Sequence, residues 1–208
     1  MNTNSAVPKQ SSAKKIGIMG GTFDPIHVGH LMIAEAVWNE YKLDKILFIP
    51  SANPPHKNKV MTSAKHRFNM TLLATCSNPH FEVSSIEMER SGPSYTVDTI
   101  KELKSMYGPD TEFYFIMGAD CIKELPTWHN IDELLTLCHF VATRRPSYTP
   151  DLKLIAQDYK GADISILETP ELEISSTDIR QRIKKGYSIQ YITTEQVQQY
   201  IRKEGLYL

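Results

Sequence analysis

The sequence predicts an α/β fold of the doubly wound class, a mostly parallel sheet covered on both faces by helices, with a C-terminal helical extension. Three observations predict it. Short, continuous apolar runs alternate with helical patterns along most of the chain. The first apolar run breaks into Gly20-Gly21 just before a helical pattern. A length of 208 residues with 41% hydrophobic content suits one compact domain.

Taken in order, Lys15 to Met19 reads as a strand, and Gly29 to Tyr41 as a helix with Leu31, Ala34, Val37, Trp38 and Tyr41 at three- and four-residue spacing. Lys45 to Ile49 is a second apolar strand closed by Pro50, and a long loop, Ser51 to Thr62, leads to a helix starting near Ser63. Strands follow at Phe81 to Ser85, Glu112 to Met117 and His139 to Thr143, with helices at Ser94 to Tyr107 and Ile131 to Leu137 between and beside them. Beyond Pro150 the pattern gives a helix near Leu152 to Tyr159 and a strand at Asp163 to Leu167. Two more helices follow, Ser176 to Lys185 and Thr194 to Glu204. The expected organisation is a flexible tail over residues 1–13 and one domain over 14–208, with 150–208 as a partly helical subregion.

Composition narrows the partners. A formal net charge of −1 and a pI near 6.7 offer no general attraction to nucleic acid or anionic membrane, so phosphate binding must come from local groups. Small anionic ligands fit better than polymers. Three widely spaced cysteines, Cys76, Cys121 and Cys138, form no C-x-x-C pair and indicate a reducing compartment rather than a disulfide framework. No run approaches the roughly 18 apolar residues that span a bilayer. Residues 1–13 lack the apolar stretch of a signal peptide. The expected location is the cytoplasm, and homo-oligomer formation is left open.

The strongest chemical signal is Gly20-Gly-Thr-Phe-Asp-Pro-Ile-His-Val-Gly-His30, between the first strand and the first helix. Glycines there let a ligand approach the backbone, and the unpaired N–H groups and positive end of the helix favour an anion. His27 and His30, three residues apart, can reach one phosphate as donors or as cations. Asp24, between Phe23 and Pro25, suits a carboxylate that braces the turn and is given no catalytic role. The string has neither G-x-G-x-x-G order nor a G-K-[ST] ending, so neither a dinucleotide fingerprint nor a P-loop accounts for it.

That string resembles the H-x-G-H signature of the nucleotidylyltransferase superfamily, which has a Rossmann-like fold. A second string, Ile174-Ser-Ser-Thr-Asp-Ile-Arg180, taken alone is only a capped helix start. Paired with the first, it resembles the second signature of the same superfamily. Three further stretches resemble the nicotinate mononucleotide adenylyltransferase family: Pro54-Pro-His-Lys57 with Arg67 downstream, Ser94-Tyr-Thr-Val-Asp-Thr99, and Gly118-Ala-Asp120 followed by Trp128-His129. Ser147 after Pro146 and Met117 before Gly118 depart from the family pattern.

The resemblance implies transfer of the adenylyl group of ATP to nicotinate mononucleotide, giving nicotinate adenine dinucleotide and pyrophosphate. It further implies that His27, His30, Lys57 and Arg180 handle the reacting phosphates. Gly20, Gly21, Thr22, Phe23, Ser175 and Thr177 would hold ATP. Thr96, Asp120, Trp128 and Arg145 would hold the mononucleotide, Trp128 by stacking on the pyridine ring. Arg67 is balanced between a ligand role and an ordinary solvated cation. Mg²⁺ is expected on the ATP phosphates rather than in a protein cage. Other acceptors of the superfamily, phosphopantetheine or nicotinamide mononucleotide, are the competing substrates, and a nucleotide sensor without turnover is the competing class.

Overall fold

The computed structural model describes residues 14–54, 61–144, 162–170 and 172–208, the Asp120 side chain excepted. The expected tail over residues 1–13 and the helix near Leu152 to Tyr159 lie outside the described residues.

Six strands form one sheet: β1 (Lys15–Gly21), β2 (Lys45–Pro50), β3 (Phe81–Val83), β4 (Glu112–Gly118), β5 (His139–Arg144) and β6 (Ile164–Glu168). Every pairing is parallel, in the order β3-β2-β1-β4-β5-β6. The order reverses between β1 and β4, which places a crevice beyond the C-terminal ends of those two strands.

Burial on both faces explains the unbroken apolar runs. Side chains alternate across the sheet, so Ile16, Ile18, Leu47, Ile49, Phe113 and Phe115 form one core with α3 (Thr96–Tyr107) and α4 (Ile131–Leu137). On the opposite face Met19, Ile46, Phe48, Tyr114 and Ile116 pack with α1 (Val28–Tyr41) and α2 (Ala64–Thr75). The same core takes in α5 (Ser176–Lys184) and α6 (Glu195–Glu204). The last two helices bury Ile179, Val197 and Ile201 among the α1 contacts Ala34 and Val37. The C-terminal segment is further tied to the β1–α1 loop, Thr193 Oγ1 donating to Ile26 O at 2.9 Å and Val28 N to Ile192 O at 3.2 Å.

Side-chain oxygens begin three helices: Ser63 accepts from His66 N, Ser175 from Asp178 N and Thr194 from Val197 N. One element had no sequence signal. Ala119–Thr127 forms a 3₁₀ helix after β4, where Pro126 and the short apolar spacing hid any helical period.

Candidate active site

The β1–α1 loop crosses the crevice, and its sequence explains its shape. Phe23 takes a left-handed φ of 50° and buries its ring against Phe48 and the edge of His30. A side chain at Gly21 would place its Cβ 2.7 Å from that ring, so only glycine fits. His27 opens α1 as its N-cap residue, its N–H donating to His30 Nδ1 at 3.2 Å. The two imidazoles stack with centroids 3.7 Å apart. A neutral His30 therefore carries its proton on Nε2. Between them a Cβ on Gly29 would sit 3.1 Å from His27 Nδ1, a tight contact that would push on the histidine pair.

Asp24 holds the loop from beneath. Its buried carboxylate accepts from Tyr207 Oη at 2.7 Å, Thr62 Oγ1 at 2.7 Å and Met61 N at 2.8 Å. Its carbonyl accepts from Arg180 Nη1 at 2.7 Å, while Arg180 Nη2 donates to Thr177 Oγ1. Ser176 Oγ donates to Pro25 O at 2.8 Å. The two signature strings are thus bonded to each other. Burial pushes the Tyr207 hydroxyl pKa up, reinforced by Asp24, so this hydroxyl stays a donor at neutral pH.

Two cavities flank the loop. One, of about 320 Å³, is lined by His27, His30, Gly118, Ala119, Thr143, Thr169, Ser175 and Ser176. The other, of about 210 Å³, is lined by Gly20, Gly21, Thr22, Glu87, Tyr95, Thr96, Phe115, Trp128 and His129. Residues 20–22 border the second and His27, Gly29 and His30 the first, so the β1–α1 loop is their common wall. Trp128 is half-buried and edge-on to Phe115, and Tyr95 stacks on His129 at 4.3 Å. No side chain caps the start of α3, so its first-turn N–H groups have no intrahelical or capping acceptor where Thr96 meets the cavity.

The expected site residues divide accordingly. His27, His30 and Ser175 meet in the histidine cavity, and Thr96 and Trp128 in the tryptophan cavity. Gly20, Gly21 and Thr22, expected beside ATP, line the tryptophan cavity instead, because β1 ends on that side of the loop. Phe23 lines neither, its ring being 3% exposed in the core. Thr177 is exposed and meets Arg180 rather than a cavity. Arg67, 1% exposed, is a structural cation: Nη1 donates to Thr22 O at 2.7 Å and Nη2 to Ala52 O at 3.2 Å. Burial lowers its pKa, with Asp24 opposing. The Trp128 backbone N–H donates to Leu125 O at 3.0 Å. Lys57 and Arg145 lie outside the described residues, as does the side chain of Asp120.

Sequence reading missed Glu87 beneath the tryptophan cavity, and Tyr207 and Thr62 on Asp24; Thr99, inside a quoted stretch, was given no role of its own. Acids and hydroxyls outside any signature string carry no mark of burial. Among the described residues no three His, Cys, Asp or Glu side chains are grouped to hold a metal ion.

The cytidylyltransferase-like family model matches residues 18–182. A Thermoanaerobacter sp. (strain X514) protein named "Probable nicotinate-nucleotide adenylyltransferase" is 53% identical over 93% of this chain and 94% of its own. A protein of the same name from Moorella thermoacetica is 50% identical over 93% and 91%. The Plasmodium falciparum nicotinic acid mononucleotide adenylyltransferase complexed with NaAD superposes with a TM-score of 0.78 at 25% identity, over 93% of this chain and 97% of that one. The chain belongs to the cytidylyltransferase-like family and, within it, to the nicotinate-nucleotide adenylyltransferases.

Proposed function

We propose that the histidine cavity takes ATP, the tryptophan cavity takes nicotinate mononucleotide, and the β1–α1 loop between them is where the adenylyl group passes. The chain transfers the adenylyl group of ATP to nicotinate mononucleotide, giving nicotinate adenine dinucleotide and pyrophosphate, a step of NAD biosynthesis. The observation that carries this assignment of sites is the shared wall: one loop borders both cavities and presents the His27–His30 pair to one of them.

The chemistry needs little from the protein beyond placement and charge. The acceptor's 5′-phosphate is already an anionic nucleophile near neutral pH, so in-line attack on the α-phosphorus requires no covalent enzyme intermediate. What must be supplied is neutralisation of two repelling anions and of the departing pyrophosphate. His27 and His30 would donate to the phosphates from the start of α1, where the helix end favours negative charge. Arg180 would add charge from the α5 side while fixed to the loop through Asp24 O. Lys57 is proposed as a further cation. Mg²⁺ would be held through the triphosphate oxygens and water. When bound, it offsets triphosphate charge.

In the acceptor cavity Trp128 provides a face for the pyridine ring, and the first turn of α3 provides N–H donors for the carboxylate. Donors alone favour the acid over the amide, whose NH₂ would oppose one of them. The test is pyrophosphate release from ATP and Mg²⁺ with nicotinate or nicotinamide mononucleotide in parallel. The acid should be preferred by at least ~10–100-fold in kcat/KM. Equal turnover of the amide would overturn the acceptor assignment, and ATP binding without turnover would return the chain to a sensor. Trp128→Ala should weaken both mononucleotides about tenfold and keep most of the ratio.

The cytoplasm is the proposed location. Cys76, Cys121 and Cys138 form no disulfide, which suits a reducing compartment, and no described helix is long and apolar enough to cross a membrane.

A further inference from the structure

The tryptophan cavity holds a group the proposed reaction does not use. Glu87 is 7% exposed and is the one carboxylate lining that cavity among the described residues. An acid here is unexpected, since the ligand assigned to this cavity carries a carboxylate and a phosphate of its own. Its surroundings are specific. Arg90 Nη2 donates to Thr99 Oγ1 at 2.9 Å, and the Thr99 hydroxyl has Glu87 Oε1 at 2.9 Å as its nearer acceptor, with Tyr95 O at 3.3 Å. Arg90 is itself anchored by Glu102 on α3. Glu87 Oε2 is buried without a hydrogen-bond partner. Ser94 and the Ala52 backbone stand near enough to favour its charge, yet burial outweighs them and raises its pKa.

Those contacts converge on the cavity rim. Thr99 lies one turn into α3, four residues after the cap residue Tyr95 and three after Thr96. Ser94 N donates to Asn53 O and Asn53 N to Ser94 Oγ, which ties the strand-end segment 51–54 to the approach to α3. Glu87 therefore sits where the loop after β2, the loop before α3 and the first turn of α3 meet.

We propose that Glu87 is a specificity-determining positioning residue, which fixes the first turn of α3 through Thr99 so that its N–H groups face the acceptor's carboxylate. This rests on the assignment of the tryptophan cavity to the mononucleotide. A carboxylate suits the role because it only accepts: every neighbour it meets, Thr99, Ser94, the Ala52 N–H and Arg90, is a donor. A buried carboxylate at a cavity wall, in surroundings that disfavour its charge, is a candidate for a functional role.

The decisive variant is Glu87→Gln, which keeps the shape and the Thr99 bond but turns an NH₂ toward donors. Steady-state kinetics with ATP and each mononucleotide should show KM for nicotinate mononucleotide up roughly tenfold, with KM for ATP and kcat near parental. The acid-over-amide ratio should fall by about the same factor. Thermal unfolding should give a Tm no lower than parental, because burial disfavours the charge of Glu87 and Gln carries none. Thr99→Val, which deletes the relay and keeps the volume, should move the same KM in the same direction. Unchanged acceptor KM and ratio in an active Glu87→Gln enzyme would overturn the proposal. So would a fall in Tm with all kinetic constants shifting together, the signature of a structural role. If the parental enzyme turned over neither mononucleotide, the site assignment itself would fail instead.

Discussion

The two ends of the sheet hold similar residues and do different things with them. At the N-terminal end, where β5 and β6 begin, His139 Nδ1 meets Asp163 Oδ2 at 2.6 Å and His139 Nε2 meets Ser165 Oγ at 2.8 Å, with Tyr41 Oη also on Ser165. By residue type this is a nucleophile, base and orienting acid. It lines neither cavity, however, and each member is closed on another, with the rings of Tyr41 and Tyr114 against the imidazole. Neighbouring groups at that end also pair off, Lys45 with Glu82 and Tyr107, and Tyr114 with Glu112. At the C-terminal end His27 and His30 border a cavity, and their loop is held by bonds made to other parts of the chain. The difference teaches that a constellation becomes a site only where the topology leaves space beside it, which in a parallel sheet is the C-terminal end at the switch point.

The comparison breaks most visibly at the histidine pair. His27→Ala or His30→Ala should lower kcat on the order of 10²-fold or more, since each removes a donor to charge that develops on the phosphates. His27 is also the residue at the start of α1 and 7% exposed, so its variant should lose some stability that the His30 variant keeps. Stopped or continuous pyrophosphate assays on folded protein decide the matter. Near-parental kcat in both would make the top pair as structural as the bottom one.

Arg180 gives a smaller and more selective effect. Arg180→Ala removes a cation from the α5 side and the bond to Asp24 O that joins the two signature strings. KM for ATP should rise about tenfold, with a lesser change for the mononucleotide. Equal shifts for both substrates would mean that Arg180 acts mainly through the shared loop.

The layers and the histidine pair were legible in the sequence for a physical reason: apolar continuity, glycine before a helix and the spacing of His27 and His30 are local properties. All six strands and the expected helices within the described residues follow from period and punctuation alone. What was not legible depends on distance along the chain. Arg67 reads equally as a ligand contact or a solvated cation until Thr22 O and Ala52 O are seen to enclose it. Gly20 and Gly21 belong to one signature with His27, yet the turn at Phe23 sends them to the other cavity. Asp24 was read as suited to bracing the turn, but its partners Thr62 and Tyr207 lie 38 and 183 residues away. Sequence adjacency locates the loop; only the fold says which side of it each residue serves.

The smallest effect on catalysis is expected at the other end, and it sharpens the contrast. Ser165→Ala removes the hydroxyl that bridges Tyr41 and His139, leaving two part-buried polar groups with one partner fewer. Losing such bonds costs about 1–2 kcal/mol in typical cases, which for a chain of this size lowers Tm by roughly 2–8 °C. Both KM values and kcat should stay parental, because β6 begins at the edge of the sheet remote from the β1–β4 crevice. Thermal unfolding and the pyrophosphate assay on the same preparation give both numbers. A stable variant with reduced kcat would show that the His139–Asp163–Ser165 set reaches the reaction after all, and the division of labour between the two ends would have to be withdrawn.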